Sequence, residues 1–430
     1  MINIIIIYFS ILIVLQSKPT EKLELEDAIH IGLNNNFEIK LVQIEADINK
    51  VNNTFGNSGM LPNINLNANT TFASNNINQQ YSNGNIINTN GAVSSLYGAN
   101  VSLDWTLFDG FKMFTTKEKL KEIESSGNDK FKIQLQNTIL QIIIAYYDIV
   151  KQKQQFKSIT EVIDLNKERL KISEIRFNSG LSSKNELLQA QVDLNIQTQN
   201  SITQINLINE SKRNLSQIIK NTQDEDFDVD VEINFLNLDS TYSENKLVEN
   251  NLNLIALKRE IEISKLVQNE IEALNYPNII FNSTFAYNET NNSAGFSLLN
   301  KANGIQAGLK LSFPIFQGFN ISRQIQITEL NSKSVEFKYN YQKSMLSKQF
   351  NDAKSIYSTQ LQLFTIEEET NKYAKENVNL ALERLRLAQT NSLEVREAQL
   401  TYENSLTRLN NIKYNLKLAE TKIRFLFGTL

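Results

Sequence analysis

Hydrophobic and polar residues alternate strictly in four short segments of this chain, at 63–72, 100–107, 280–287 and 305–313. In the first segment, polar residues separate Ile64, Leu66, Ala68, Thr70 and Phe72. A period of two places the apolar set on one face of a β-strand and the polar set on the other. The pattern predicts four two-faced strands, over about 61–73, 97–109, 278–290 and 303–316.

Each predicted strand has about the length, 9–11 residues, that a tilted strand needs to cross a membrane. The polar faces are rich in asparagine, which suits a wet lumen. Aromatic residues gather near the strand ends, where an interfacial girdle would lie: Trp105, Phe108, Phe111, Phe313, Phe316 and Phe319. A soluble antiparallel sheet with one solvated face explains the alternation equally well. We expect the Asn/Ser/Gly-rich segments 74–99 and 288–304 to be exposed loops.

Four strands are too few to close a barrel, since the smallest membrane barrels use about eight. An open sheet edge is not stable in lipid. If these strands span a membrane, several copies of the chain must combine their strands.

Apolar residues recur every seven positions after the second and fourth strands, where proline is nearly absent. The first series is Leu135, Ile142, Ile149, Phe156, Ile163, Leu170 and Phe177. Sustained heptads predict supercoiled helices with knobs-into-holes packing. We expect long helical hairpins over 112–220 and 317–427. About 65 residues at roughly 1.5 Å per residue form a rod of about 100 Å, so these helices must extend outside a bilayer.

The chain contains a long internal duplication. The segments 105–111 and 313–319 correspond at a separation of 208 positions, as do 176–191 and 384–399. The segments 61–66 and 276–281 correspond at a separation of 215. We therefore predict a first repeat over 18–220, a linker or equatorial segment over 221–250 and a second repeat over 251–430.

Composition narrows the candidate chemistry. The chain has no cysteine, which excludes disulfides and thiolate metal sites. It has one histidine, His30, which argues against histidine-based zinc sites and histidine general bases. A net charge of −4 argues against a nucleic-acid partner. No phosphate loop, metal-spaced cluster or nucleophile–base pair is present. We therefore expect no enzyme activity, no cofactor and no metal.

The first 17 residues resemble a secretory signal peptide. The apolar run Ile4–Leu15 is too short to span a bilayer as a helix, and we place the cleavage near Ser17. A buried strand or helix is the alternative interpretation.

Ordered motifs resemble one known family across about residues 20–430. They are LELEDAIHIGLNNNFEI at 23–39, Leu61-Pro62, FDG at 108–110, AYYD at 145–148, RFNSGL at 176–181 and FQG at 316–318. This ordered set is similar to the outer membrane factor, or TolC-like, family of efflux and secretion channels.

The resemblance implies a mainly α fold with a transmembrane β part. It implies a homotrimer in the outer membrane of a Gram-negative-type bacterium, with twelve strands in one barrel continued by a periplasmic α-helical barrel. Residues of about 220–250 and the C-terminal end would form a belt around the helical barrel. The implied partners are a periplasmic adaptor, an inner-membrane transporter and outer-membrane lipid.

The resemblance also implies two sites at the helical turns. Glu394 and Glu397 match acidic positions that form the periplasmic aperture, and Glu186 matches the position in the first repeat. Threefold symmetry would gather the first two into a cation-favouring ring with raised carboxylate pKa values. The alternative is that they are solvated charges on an outer face.

The second implied site is the tip that contacts the adaptor: Arg176, Phe177, Gly180, Leu181, Thr390 and Asn391. The second turn departs from the family pattern, since Ala388 replaces the usual glycine and Leu385 the usual aromatic residue. Phe177 also fits the role of last heptad residue. The implied function is a passive outer-membrane duct of a tripartite efflux pump or a type I secretion system. The alternative is a soluble periplasmic coiled-coil scaffold or adaptor.

Overall fold

The computed structural model describes residues 21–220, 222, 226–236 and 242–430. The expected signal peptide lies outside the described residues. The helices are α1 (Leu25–Asn35), α2 (Phe37–Asn52), α3 (Lys112–Asn178), α4 (Lys184–Lys220), α5 (Glu244–Asn250), α6 (Leu252–Glu272), α7 (Asn320–Arg386) and α8 (Ser392–Leu426). The strands are β1 (Glu21–Lys22), β2 (Asn63–Gln80), β3 (Ile86–Phe108), β4 (Phe227–Asp228), β5 (Asn278–Asn292) and β6 (Leu299–Ser312). A mainly α fold with a duplicated unit of long helices and two strands is confirmed.

The duplication is visible in the element boundaries. Helices α3 and α7 both have 67 residues, and they begin and end 208 positions apart. Helices α2 and α6 begin 215 positions apart. Equivalent side chains make equivalent bonds: Asn36 Nδ2 donates to the Ile218 carbonyl at 3.0 Å, and Asn251 Nδ2 donates to the Leu426 carbonyl at 2.8 Å.

The chain forms two compact units that cut across the two repeats. One contains the described parts of 1–41, 133–251 and 345–430, and the other contains 42–132 and 252–344. Each unit therefore draws on both repeats, because elements of one repeat pack on elements of the other.

The unit of residues 42–132 and 252–344 contains a four-stranded antiparallel sheet in the order β2-β3-β5-β6. The expected loop 74–99 is wrong, because β2 continues to Gln80, β3 starts at Ile86 and only the intervening residues form the turn. The expected loop 288–304 is likewise shortened by β5 and β6. Asparagine and serine are poor strand formers in isolation, but a continuous backbone ladder between paired strands overrides that preference.

The unit of residues 1–41, 133–251 and 345–430 has an apolar core around α3. Its buried residues include Ala28, Ile142, Ile149, Leu215 and Ile219. Ile142 and Ile149 are heptad positions, so the predicted period does face the core. The short strand β4 pairs in parallel with β1, and Phe227 and Val229 join the core. No helix among the described residues has a stretch both long and apolar enough to cross a bilayer.

A second apolar cluster joins α3, α7 and α8 near the helical turns. Val378, Leu385, Val395 and Tyr402 are its most buried members, and Ile172 of α3 packs against them. At the separation of 208, Val378 and Leu385 are the equivalents of the heptad residues Leu170 and Phe177. Val395 and Tyr402 are also seven positions apart.

Candidate functional site

The strand register sorts the apolar and polar residues onto opposite faces of the whole sheet. Leu66 pairs with Val101, Val101 with Phe285 and Phe285 with Ile305. The adjacent row of polar residues is Asn65, Ser102, Thr284 and Gln306. Because directly paired residues project from the same face, the four alternating segments combine into one two-faced sheet.

Large side chains on the apolar face are exposed in the chain, among them Ile64, Leu66, Phe72, Val101, Phe285, Ile305, Leu309 and Leu311. On the polar face, Asn67 Nδ2 donates to Asn100 Oδ1 at 3.2 Å, and Asn282 donates to Asp104. An exposed apolar surface of this extent marks an interaction with lipid or protein.

The predicted girdle aromatics occupy equivalent positions in the two repeats. Phe108 and Phe111 meet edge to face at 5.2 Å between ring centroids, and Phe316 and Phe319 do so at 5.4 Å. Phe111 and Phe319 both have positive φ, as do the glycines that precede them. The Trp105 indole Nε1 donates to the Met60 carbonyl at 3.0 Å, and Phe313 is exposed.

The turn between α3 and α4 ends α3 with a Schellman motif. The Leu181 N–H donates to the Arg176 carbonyl at 2.8 Å, and the Gly180 N–H donates to the Phe177 carbonyl at 2.9 Å. Leu181 is exposed, and Phe177 is 36% exposed. The Arg176 guanidinium donates to the Leu385 carbonyl at 2.9 Å, which ties the first turn to the second helical hairpin.

At the turn between α7 and α8, Asn391 is the N-cap of α8. Its Oδ1 accepts from the N–H groups of Leu393 and Glu394, both at 3.1 Å. The Glu394 carboxylate accepts from Thr390 and forms an ion pair with Arg384 at 2.5 Å. The two predicted tip residues of this turn therefore also hold a predicted aperture residue in place.

The three acidic aperture candidates differ in their surroundings. Glu397 is exposed and has no ion pair within the part of the chain that the structure describes. Glu186 is half-buried, and its backbone N–H donates to the Ser183 carbonyl at 3.2 Å. Within the described residues, the only carboxylate that forms an ion pair with Arg384 is that of Glu394.

Sequence reasoning missed a buried ionic network near the turns. Arg169 of α3 is 1% exposed, donates to Gln399 Oε1 at 2.7 Å and pairs with Asp193 of α4. Arg396 of α8 also reaches Asp193, at 3.1 Å. Burial lowers the pKa of Arg169, and the hydrogen bond to Asp193 opposes that shift. The heptad pattern gave no signal for this network, because Arg169 is not a heptad residue but the neighbour of one, Leu170.

A second buried ion pair lies on α8. Lys417 Nζ lies 2.9 Å from Glu420 Oε1 and donates to the Asn234 carbonyl at 2.8 Å. Glu420 is fully buried, and it also accepts the Leu236 N–H at 3.1 Å. These bonds hold Asn234 and Leu236, which lie in the expected belt, against α8. Within the described residues, no cluster of metal-ligating side chains is present.

Solved outer membrane channels share this fold. CusC aligns with a TM-score of 0.82 at 13% identity, over 94% of this chain and 92% of that one. The CmeC outer membrane channel of Campylobacter jejuni aligns with a TM-score of 0.79 at 16% identity, over 94% and 85%. The outer membrane protein VceC of Vibrio cholerae gives 0.79 at 13%, over 94% and 96%.

The sequence itself carries the family signal. The model of the outer membrane efflux protein family matches residues 29–219 and 246–429, which includes both repeats. The chain therefore belongs to the outer membrane efflux protein family, and the predicted resemblance to TolC-like outer membrane factors is confirmed. A search of proteins with curated function found no significant match.

Proposed function

We propose that this protein is a passive exit duct of the outer membrane that works as a homotrimer. Three copies of the four-stranded sheet would give the twelve-stranded barrel, with the apolar face toward lipid and the asparagine-rich face toward the lumen. One observation carries the proposal: the register places the apolar residues of all four strands on one exposed face. The two outer strands, β2 and β6, each have one edge without a partner strand in the described chain.

The helical hairpins would continue the barrel into the periplasm as an α-helical tunnel. There the duct would work with a periplasmic adaptor and an inner-membrane transporter, in an efflux pump or a type I secretion system. Arg176, Phe177, Gly180, Leu181, Thr390 and Asn391 would contact the adaptor. Glu397, with Glu394 and Glu186, would line the aperture. Family membership supports this proposal, and no catalytic step is part of it.

A pair of substitutions on one strand tests the two faces. Leu309 lies on the apolar face of β6 and Gln306 on its polar face. Leu309→Arg places a charge toward lipid, which destabilises a membrane barrel by about 2–4 kcal/mol near the bilayer midplane. We expect it to reduce the protein recovered as a trimer from outer membranes. Gln306→Arg should insert normally and shift the conductance toward anions.

The measurements are membrane fractionation, mass in detergent and ion selectivity in planar bilayers. Equal insertion of both variants with unchanged selectivity would contradict the proposed faces. Recovery of the wild-type protein as a soluble monomer after osmotic shock would favour the scaffold alternative.

A further inference from the structure

Charged side chains join the two repeats inside one chain. Arg259 of α6 in the second repeat contacts two carboxylates of α3 in the first repeat. Its Nη1 lies 2.7 Å from Glu122 Oε2, and its Nε lies 2.7 Å from Asp129 Oδ2. The hydrogen bond that Arg259 donates to Asp129 raises the pKa of Arg259 above its ordinary value. We call this α6–α3 contact the charged seam.

The duplication gives each member of the charged seam an equivalent position. The separation of 215 takes Arg259 to Ile44 of α2, and the separation of 208 takes Glu122 to Leu330 and Asp129 to Phe337 of α7. All three equivalents are large and apolar. Ile44 is 56% exposed, Leu330 is 65% exposed and Phe337 is 72% exposed.

A second contact of the charged seam shows the same replacement. Glu270 of α6 pairs with Lys119 of α3 at 2.5 Å and accepts from Thr116. The equivalent of Lys119 is Ile327 of α7, which is 45% exposed. The equivalent of Glu270 is Phe55, in the turn after α2, which is 58% exposed. Every ion pair of the seam therefore corresponds to an exposed apolar pair.

Helices α3 and α6 are joined by ion pairs inside the chain. Among the described residues, no hydrogen bond or ion pair joins the equivalent helices α7 and α2. In an assembly of several copies, α2 of a second copy is the available partner for α7. The same two surfaces then meet at every junction between neighbouring copies, which is a heterologous, head-to-tail contact. Apolar residues suit a contact between separate molecules, because burial drives association while exposed ion pairs contribute little. No other occupant has a matching template in this molecule.

We propose that α7 of one copy packs against α2 of the next copy through an apolar seam of Ile327, Leu330 and Phe337 on one side and Ile44 and Phe55 on the other. This inference rests on the homo-oligomer in the proposed function, and it adds the residues that join neighbouring copies.

The same separations fix how the sheets of neighbouring copies pair. Inside the chain, Leu103 of β3 pairs with Ser283 of β5. Their equivalents are Leu311 of β6 and Ala68 of β2, so these two residues pair between copies. Both equivalents lie on the apolar face, as the pairing demands, whereas a shift by one residue would put them on opposite faces.

Substitution and rescue test the apolar seam. Ile44→Arg places an unpaired charge in the apolar seam, and we expect the concentration at which half of the oligomer dissociates to rise at least about tenfold. The triple variant Ile44→Arg, Leu330→Glu and Phe337→Asp copies the charged seam between molecules, so it should restore the oligomer. Analytical ultracentrifugation in detergent measures both. An Ile44→Arg variant that stays fully oligomeric would overturn the proposal.

Crosslinking gives a readout that does not depend on rescue. The chain has no cysteine, so Ile44→Cys with Phe337→Cys introduces the only two thiols. A short bismaleimide should join neighbouring copies in this variant. The matched control, Ile44→Cys with Glu336→Cys, uses an exposed α7 residue on a different side of the helix and should give little product. Equal products from both pairs, or none from the first, would contradict the seam.

The two proposals can fail separately. If the wild-type protein conducts ions as a trimer but the Ile44→Cys, Phe337→Cys variant does not crosslink, the duct stands and the apolar seam is rejected. Wild-type protein that neither forms an oligomer nor conducts rejects the duct itself.

Discussion

Gly180 and Ala388 adopt the same left-handed backbone conformation at equivalent turns, with φ values of 71° and 58°. The Gln389 N–H donates to the Arg384 carbonyl at 2.8 Å, just as the Leu181 N–H donates to that of Arg176. The Schellman geometry is therefore kept in the second repeat although its glycine is replaced. An L-residue in this region is disfavoured by about 1–2 kcal/mol.

Ala388→Gly should stabilise the protein. It removes the left-handed strain at that residue, which outweighs the about 0.4–1 kcal/mol lost to the greater freedom of the unfolded chain. We expect a net gain of about 0.5–1 kcal/mol per chain, seen as a higher thermal unfolding temperature by circular dichroism. Gly180→Ala is the matched control and should lower that temperature. A lower unfolding temperature for Ala388→Gly would contradict the argument.

Asp193→Asn should destabilise the helical hairpins strongly. It removes the carboxylate that compensates Arg169, whose side chain is almost fully buried. Breaking such a buried pair costs about 3–5 kcal/mol. Asp164→Asn removes a pair with Lys167 that is more than half exposed, and it should change stability by less than about 1 kcal/mol. Similar unfolding temperatures for the two variants would show that the buried network contributes little.

Ion selectivity should depend more on Glu397 than on Glu394. Arg384 and Thr390 engage the Glu394 carboxylate, so its charge is partly compensated, whereas Glu397 has no ion pair in the described part of the chain. We expect Glu397→Gln to lower the cation-to-anion permeability ratio in planar bilayers more than Glu394→Gln does. Equal reversal potentials for wild type and Glu397→Gln would remove that residue from the aperture.

Alkaline pH should destabilise the core through Tyr147. Burial, with a contribution from Glu420, raises the pKa of Tyr147 to about 12. The unfolded tyrosine ionises near pH 10, so the folded state loses stability as pH rises from about 10 toward about 12. Tyr147→Phe should move the alkaline unfolding midpoint to higher pH, as followed by circular dichroism. An unchanged midpoint would show that other groups govern alkaline unfolding.

The sequence alone determined the elements and their faces. Alternation at Ile64, Leu66 and Phe72 predicted a strand and its apolar side, and heptads at Ile142 and Ile149 predicted a helix face that is buried. These patterns are local: side chains repeat every two residues along a strand and about every 3.6 along a helix, so spacing in the sequence gives the face. The predicted roles of Glu394, Glu397 and the tip residues remain predictions.

Only the tertiary structure showed which elements of the two repeats contact each other and which side chains form those contacts. The strand extensions through 74–80 and 86–96 depend on pairing between β2 and β3, so single-strand preferences underestimated them. Arg169, Asp193 and Gln399 are distant in sequence, and no local period marks residues that meet through helix packing. The charged seam of Arg259 against Asp129 likewise appeared only in three dimensions, because ion pairing depends on distance between side chains and not on spacing along the chain.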